Sequence, residues 1–402
     1  MLKSTSRRFD TNKNHSVKVI WNAVANFGYE PIKRAVTAEL MAEDIRYFEA
    51  LYNKSSHSWT TRNPDDFRSI LCDSLTSAVA LFRARLGGPV GFTENPTLAF
   101  LRRVLKRYEE SQRQRNAIDG EDGLRRAAEL LSEENLRLDS RTAFPFVDEF
   151  QDFSPAFALL TEALMKRNPA CILNAVGDDW QSINSFMGSE QTYFKKFKTS
   201  FAPALNLPLQ QNWRCGKSIV ACGNLVMEAD AKDAAVAALE HEGRLRIAKG
   251  EIKKSDRDAQ RDFVLRNVET MASRAWADDL RAGRPVGKLV LIASLNKPYG
   301  EDPKLFLAAL ADIANGASAE FSTAHSSKGR EWDHVILLDG IEGAYPRPHH
   351  GNLLVSAMLS KQDLEDEGQR LLYVAATRAK HSLAILAPTG LHPRLQGVAQ
   401  LR

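Results

Sequence analysis

Two adjacent carboxylates, Asp148 and Glu149, directly follow a short apolar stretch of the chain. The stretch, residues 143–147, has the length and apolar character of one buried strand. An acidic pair at the carboxyl end of such a strand is where α/β domains that act on nucleotides hold Mg²⁺. Asp148 would bind the metal ion or its water shell, and Glu149 would orient and deprotonate an attacking water. The alternative is a strand that runs into an acidic, solvated turn.

Four polar segments further along the chain favour the chemical interpretation. The first contains Asp-Asp-Trp-Gln at 178–181 and follows a second apolar stretch at 171–176. The second is Gln-Asn-Trp-Arg at 211–214, which follows the leucine-rich residues 205–209. The third, at 322–333, leads into a predicted strand at 334–338, and the fourth, at 369–380, contains Thr-Arg-Ala at 377–379.

In this order and spacing, the five segments resemble the motifs of the UvrD/Rep branch of superfamily 1 DNA helicases. The Asp-Asp-Trp-Gln sequence resembles the form of this motif in the helicase IV subgroup. The resemblance to the family covers residues 144–388. It implies an α/β fold with two RecA-like parallel-sheet domains, the first incomplete at its amino end, and an all-helical insert. It also implies ATP and Mg²⁺ as cofactors, with Asp148 as the metal ligand.

The resemblance assigns further catalytic roles. Gln181 matches the glutamine that senses the γ-phosphate of ATP. Arg214 and Arg378 match arginines that reach the same phosphate from the second domain, where such a residue can contribute about 10³–10⁵ in rate. For each arginine the alternative is a surface salt bridge.

Three residues match positions that contact the nucleotide in the family. Trp213 stands where relatives mostly have a tyrosine stacked on adenine, and tryptophan offers a larger aromatic face. Gly329 would let the backbone approach the ribose and phosphates. Glu331 would accept a hydrogen bond from a sugar hydroxyl.

Phe186, His325 and Tyr345 match positions that contact single-stranded DNA. A base stacked on Phe186 would contribute about 1–3 kcal/mol, although Met187 follows where relatives have arginine. His325 has an alternative as a hydrogen-bonded core histidine. The predicted partners are therefore single-stranded DNA and duplex-junction DNA.

A phosphate-binding loop of the form Gly-x-x-x-x-Gly-Lys-Ser/Thr does not occur in the 402 residues. The nearest string, Gly216-Lys217-Ser218, has Gln at position 211 in place of the first glycine, and we expect a helix to begin there. In the family the loop precedes the acidic motif in the same domain. We therefore expect an upstream segment or a partner chain to supply it, and an exposed sheet edge without it.

The chain divides into three predicted regions. Residues 1–140 are mainly helical, without strand periodicity, and resemble the family's insert subdomain. Residues 141–208 form the rest of the first RecA-like domain, with strands at 143–147, 171–176 and the leucines at 205–209. Residues 209–402 form the second domain with a reduced insert, and its predicted elements include a strand at 289–293 and a helix at 303–314. The basic stripe Arg102, Arg103, Lys106 and Arg107 is expected to be a solvated helix face, and aromatic residues at 193–197 are expected to pack in a core.

Composition supports a globular protein of ordinary type. The chain has 44% hydrophobic and 26% charged residues and a net charge of +4, which is too small to indicate nucleic-acid binding by itself. Its four cysteines have no metal-ligand spacing, which favours reduced thiols and a cytoplasmic location. No stretch has the ~18 apolar residues of a membrane helix, so no membrane partner is expected.

Two functions from different classes follow. The first is an ATP-dependent 3′–5′ DNA helicase or single-stranded DNA translocase that couples ATP hydrolysis to unwinding. The second is a fragment or non-catalytic nucleic-acid-binding remnant that needs another segment for ATPase activity.

Overall fold

The computed structural model describes residues 28–29, 32, 41–54, 64–84, 96–133, 144–185, 188–311, 313, 317–346, 354–355 and 358–401. They form two compact units, and the division falls between Pro203 and Ala204. Residues 354–355 and 358–360 also belong to the first unit. Both units contain α-helices and parallel strands, so the predicted α/β class is confirmed.

The first unit opens with helices, as the apolar spacing predicted. They are α1 (Ala42–Lys54), α2 (Pro64–Ala84), α3 (Pro96–Arg115) and α4 (Gly120–Ser132). Leu71, Leu75 and Val79, which recur on one side of α2, are buried. A short parallel pair, β1 (Gly28–Tyr29) with β2 (Ala117–Ile118), was not predicted in this region, which we expected to contain no strand.

One buried ionic cluster joins the helices α2, α3 and α4. Arg83 on α2 is 3% exposed, and its Nε lies 2.6 Å from Oδ2 of Asp119. Asp119 also accepts a hydrogen bond of 2.7 Å from the Tyr108 hydroxyl on α3 and caps α4 by accepting from the Asp122 N–H. The charge of Arg83 is thus paired where water is excluded, as burial requires.

The rest of the first unit contains a parallel pair of strands, β3 (Phe146–Val147) and β4 (Asn174–Ala175), connected by helix α5 (Pro155–Arg167). The predicted strands at 143–147 and 171–176 are longer than these, and the prediction that the first of them is buried is wrong. Phe146 is 78% exposed and Ile172 is 56% exposed. Among the described residues β3 and β4 pair only with each other, so no further strand extends them.

A third strand predicted at 205–209 is also absent from the described structure. Residues 204–210 have no regular secondary structure, and Leu205, Leu207 and Leu209 are 77%, 74% and 87% exposed. A strand exists only where a neighbour satisfies its backbone. The first such bond comes at Gln210, whose carbonyl accepts from the Val236 N–H over 2.9 Å, one residue after the predicted strand.

The face of the β3–β4 pair opposite to the exposed Phe146 side chain packs on an aromatic cluster. Phe150, Phe153 and Phe201 are buried in it, and Val147 and Ala175 pack against them. The short helices α6 (Gln191–Lys195) and α7 (Phe197–Ser200) add Tyr193, Phe194 and Phe197 to the cluster, which confirms the predicted core packing of these aromatic residues.

The second unit contains a parallel sheet of five strands, β7 (Arg244–Lys249), β8 (Leu289–Ala293), β9 (Ala319–Thr323), β10 (Trp332–Leu337) and β11 (Ala379–Ala387). Their order in the sheet is β7–β11–β10–β8–β9. The helices of this unit are α8 (Lys217–Met227), α9 (Arg257–Arg281), α10 (Pro303–Ala308) and α11 (Lys361–Ala376). A separate parallel pair joins β5 (Gln211–Asn212) to β6 (Val236–Ala237).

Helix α9 covers one face of this sheet. Val264, Val268 and Trp276 on α9 pack with Leu289, Leu291 and Ala293 of β8, and Phe306 of α10 completes the cluster. The strand predicted at 289–293 is confirmed, and a helix does begin at Lys217 as expected for the Gly-Lys-Ser string. The helix predicted at 303–314 ends earlier, at Ala308.

None of the helices in the described ranges is long and apolar enough for a membrane crossing. The four cysteines are free thiols, three of them buried and Cys171 partly so.

Candidate functional site

The acidic pair lies at the carboxyl end of β3, as predicted. Asp148 and Glu149 are both exposed, and the Glu149 N–H donates to the Asp148 carboxylate over 2.9 Å. Glu149 has a left-handed backbone with φ of 54°, which is uncommon for a residue other than glycine. The chain therefore turns sharply at Glu149, directly after the strand.

Gln151 connects this acidic loop to the loop that follows β4. Its side chain is 1% exposed, its Oε1 accepts from the Asp178 N–H over 2.9 Å, and its Nε2 donates to the Glu149 carboxylate. Its backbone carbonyl accepts from the Ser182 hydroxyl over 3.2 Å. One buried amide thus fixes both loops, a role that sequence reasoning missed because it depends on a tertiary contact.

Gly177 is the residue that permits this approach. A Cβ atom at Gly177 would lie 2.6 Å from Oε1 and 3.0 Å from the backbone N of Gln151. These distances leave no room for a side chain, so the glycine is required for the two loops to lie together.

The second loop is ordered around Asp178. Its Oδ1 accepts from the Trp180 N–H over 3.1 Å, and its Oδ2 accepts from the Gln181 side chain over 2.6 Å. A series of hydrogen bonds therefore runs from Glu149 through Gln151 and Asp178 to Gln181. The structure brings the predicted base and the predicted phosphate sensor to the ends of two adjacent strands.

A second group of predicted residues lies in the second unit, around the loop after β5. The Asn212 side-chain oxygen accepts from the N–H groups of Arg214 and Cys215, each over 2.9 Å, and shapes this loop. Trp213 is 69% exposed, so its ring is available for stacking. Arg214 Nε donates to Glu331 Oε2 over 3.0 Å.

Glu331 also pairs with a cation that was not predicted. Lys380 Nζ lies 2.6 Å from Glu331 Oε1. Hydrogen bonds from Lys380 and Arg214 lower the pKa of the Glu331 carboxyl, which keeps it ionised at neutral pH. Lys380 is the last residue of the fourth motif segment, but no role was predicted for it, because its contact with Glu331 depends on the fold.

Arg378 lies beside this group but is buried. It is 1% exposed, its Nε donates to the Val374 carbonyl over 3.0 Å and its Nη1 to the Arg330 carbonyl over 3.4 Å. Burial raises the pKa of the Cys215 thiol to about 11, while the charges of Arg214 and Arg378 oppose this rise. The alternative of a surface salt bridge is excluded for Arg378, because its side chain is inside the protein.

The other predicted residues differ in their accessibility. Gly329 has a φ of +75° and open space at its Cβ position, and His325 is exposed in the turn after β9, which excludes a core role. Tyr345 is 2% exposed and its hydroxyl donates to Asp339 over 3.0 Å. The Tyr345 side chain is therefore not accessible for the predicted contact with DNA in this structure. Phe186 lies outside the described residues.

A dedicated metal cage is not found within the described ranges, where no three His, Cys, Asp or Glu side chains group suitably. This does not conflict with Mg²⁺ at Asp148, since that ion is usually held by one or two carboxylates together with substrate phosphates and water. Asp148 and Glu149 fit such a site, because their exposed oxygens are hard ligands at a strand end.

Comparisons with known proteins agree with the motif pattern. Residues 12–202 match the UvrD/REP helicase N-terminal domain family, and residues 307–389 match the UvrD-like helicase C-terminal domain family. DNA helicase IV of Escherichia coli is 28% identical over 291 residues, which cover 69% of this chain and 38% of that protein. A probable DNA helicase of Mycoplasma pneumoniae is 25% identical over 71% of this chain and 51% of that protein.

Solved structures are similar only at a distance. The C-terminal domain of a possible DNA helicase from Lactobacillus plantarum has 16% identity and a TM-score of 0.28, over 46% of this chain and 94% of that one. The chain spans about half or less of the length of the two curated relatives described above.

Proposed function

Because the chain belongs to the UvrD/Rep-like helicases of superfamily 1, we propose that it takes part in ATP-dependent translocation on single-stranded DNA and unwinding of DNA in the 3′–5′ direction. In this proposal each of the two units is a RecA-like domain, and the helices α1–α4 form the insert of the first. The observation that carries the proposal is the hydrogen-bonded connection from Glu149 through Gln151 and Asp178 to Gln181.

This connection supports hydrolysis because it holds two functional groups in fixed relation. Glu149 takes the proton of the attacking water, and Gln181 donates to the γ-phosphate. Asp148 holds Mg²⁺, which supplies charge neutralisation on the phosphates when bound. Since phosphoryl transfer depends on positioning more than on covalent chemistry, a fixed base and sensor are what the reaction requires.

We assign the remaining nucleotide contacts to residues of the second unit. Arg214 binds the γ-phosphate and Trp213 stacks on adenine, with Gly329 allowing close approach and Glu331 beside the bound nucleotide. Arg378 reaches a phosphate only if its side chain leaves the carbonyls of Val374 and Arg330. Its contribution to catalysis therefore includes a conformational step.

We propose that the phosphate-binding loop is provided by a further segment or by a partner chain. The support is that no such loop occurs in the 402 residues, while the other nucleotide motifs do. The second candidate function, a nucleic-acid-binding remnant without ATPase activity, is favoured by the same observation.

DNA is bound through His325, which is exposed, and through Phe186. We infer single-stranded and duplex-junction DNA as substrates. A cytoplasmic location is consistent with the free cysteine thiols.

The test is ATP hydrolysis by the 402-residue chain, with and without single-stranded DNA. We expect a Glu149→Gln variant to abolish any DNA-stimulated turnover, because the base is lost while the fold is not. Glu162→Gln is the matched control, since Glu162 is an exposed glutamate on α5 in the same unit.

Three outcomes distinguish the candidates. Stimulated turnover that only Glu149→Gln removes would support catalysis by this chain. If the chain binds DNA without ATP turnover, and turnover appears when a chain carrying the phosphate-binding loop is added, the result would support an assembled enzyme. Binding without turnover under every condition would favour the remnant.

A further inference from the structure

Three charged side chains from distant parts of the chain meet in the second unit. Glu331 precedes β10, Lys380 is the second residue of β11, and Arg214 lies in the loop after β5. Glu331 accepts from Arg214 Nε over 3.0 Å and lies 2.6 Å from Lys380 Nζ.

Backbone hydrogen bonds hold this group in place. The Trp332 N–H donates to the Arg378 carbonyl over 3.0 Å and joins the beginnings of β10 and β11. The Gly216 N–H donates to the Lys380 carbonyl over 3.0 Å and joins the loop of Arg214 to β11. The backbone segments that carry the three side chains are therefore held together by hydrogen bonds that are separate from the ion pairs.

The group has more positive than negative charge. The Glu331 carboxylate is paired with two cations, Arg214 and Lys380. The Arg378 guanidinium is a third positive charge nearby, since both it and Arg214 act on the pKa of the Cys215 thiol. The side chains of Arg214, Glu331 and Lys380 are 31%, 45% and 35% exposed. Ion pairs this accessible typically contribute only about 0–1 kcal/mol to stability, so a ligand can replace the carboxylate at little cost to the fold.

We propose that Lys380 contacts the phosphates of a polyphosphate ligand, and that Glu331 is an internal counter-ion that these phosphates displace. The inference rests on the proposed binding of ATP by this unit. A triphosphate carries more negative charge than a carboxylate and forms charge-assisted hydrogen bonds with arginine and lysine. Glu331 holds the two cations close together until the ligand replaces it.

This role differs from a contact between Glu331 and a sugar hydroxyl in one measurable way. A carboxylate that competes with phosphates weakens the binding of inorganic triphosphate, which has no sugar. A carboxylate that only contacts ribose has no effect on that ligand. Neutralising Glu331 therefore separates the two roles.

The experiment is a titration of the full 402-residue chain with inorganic triphosphate, followed by phosphorus NMR at low salt. We expect Lys380→Gln to weaken binding about tenfold, because one charge-assisted contact is lost. Lys380→Arg should largely restore it, and Glu331→Gln should tighten it severalfold. Circular dichroism of each variant checks that the fold is retained.

The matched control is a second lysine–glutamate pair in the same unit. Lys254 Nζ lies 3.0 Å from Glu342 Oε2, and these side chains are 70% and 67% exposed. Lys254→Gln and Glu342→Gln should leave the affinity for triphosphate unchanged.

The inference is overturned if the wild type shows no saturable binding of triphosphate, or if Glu331→Gln binds it more weakly than the wild type or equally well. An equal effect of Lys254→Gln and Lys380→Gln would also overturn it, because the effect would then be one of net charge. ATP hydrolysis is measured separately, so triphosphate binding without turnover contradicts only the proposed catalysis.

Discussion

At the scale of single residues, the first unit depends on one buried amide. Gln151 is the only hydrogen-bond partner shown for the Asp178 N–H, at 2.9 Å, in the described structure. Replacement by Met keeps a similar volume but leaves a polar group of the neighbouring loop without its partner. Loss of a buried partner typically costs about 1–3 kcal/mol.

We therefore predict that Gln151→Met lowers the free energy of unfolding of the first unit by about 1–3 kcal/mol. Urea denaturation monitored by circular dichroism measures it. Gln114→Met, at an exposed position of α3, is the control. Equal losses in both variants would show that the amide does not hold the loops together.

The second unit contains a buried Asp279–His334–Ser382 series. His334 Nε2 lies 2.6 Å from Asp279 Oδ2 and its Nδ1 lies 2.8 Å from Ser382 Oγ. Burial tends to raise the pKa of the Asp279 carboxyl, but hydrogen bonds from His334, Arg284 and the Gly287 N–H outweigh burial and lower it below 3.8. The folded state thus binds the proton of Asp279 less tightly than the unfolded state does.

The sign of the pH dependence follows from this shift. The stabilisation by Asp279 is fully present above about pH 4, and it is lost as the pH falls through the folded-state pKa. Asp279→Asn should therefore be less stable than the wild type at neutral pH, and the difference should shrink in acid. Urea unfolding in steps from about pH 7 to about pH 3 tests this, with the exposed Asp262→Asn on the same helix as control. A difference that stays constant with pH would contradict it.

At the scale of elements, the two faces of the β3–β4 pair differ in their exposure to solvent. Phe146 and Ile172 are 78% and 56% exposed on one side, whereas Phe153 in the cluster on the other side is 4% exposed. A parallel sheet is normally covered on both faces, so the open face is a surface for association.

We predict that a Phe146→Ser/Ile172→Ser double variant binds less of the dye ANS and self-associates less, with little loss of stability. Phe153→Ala should instead cost about 3–5 kcal/mol, because it leaves a cavity among aromatic rings. Dye fluorescence and analytical ultracentrifugation give the readouts. If the serine variant were as unstable as Phe153→Ala, the face would be covered in solution.

The same elements show what could be predicted from sequence. Residues 289–293 were predicted correctly because a continuous apolar run between polar flanks is typical of a central parallel strand. Residues 205–209 were not, because alternating leucines form a strand only beside a neighbour, which no local pattern reveals. Periodicity predicts what an element could be, and pairing decides whether it forms.

The candidate site likewise contains residues that were predicted from the sequence and residues that were not. Asp148, Glu149, Gln181 and Arg214 were predicted as site residues from motif order, and the structure places each of them in a loop that follows a strand. Gln151 and Lys380 were missed because their significance depends on what they contact across the fold. The burial of Tyr345 was missed for the same reason, since its hydroxyl partner Asp339 lies at the end of β10.

At the scale of the whole molecule, the two units differ in the extent of their parallel sheets. The second has a five-stranded sheet with a core of its own. The α/β part of the first relies on strands of two residues each. Since burial of apolar surface supplies most of the stability of a domain, we infer that the second unit is the more stable part.

We predict that residues 204–402, produced alone, unfold in one cooperative transition in urea. Residues 1–203, which hold the first unit apart from residues 354–355 and 358–360, should have a lower midpoint and bind ANS already in buffer, because Phe144 and Phe146 are 61% and 78% exposed. Circular dichroism of both fragments beside the full chain makes the comparison, and dye fluorescence reports the open face. A fragment 1–203 that unfolds at the same urea concentration as 204–402, without binding dye, would show that the helices α1–α4 and the aromatic cluster stabilise the first unit without a wider sheet.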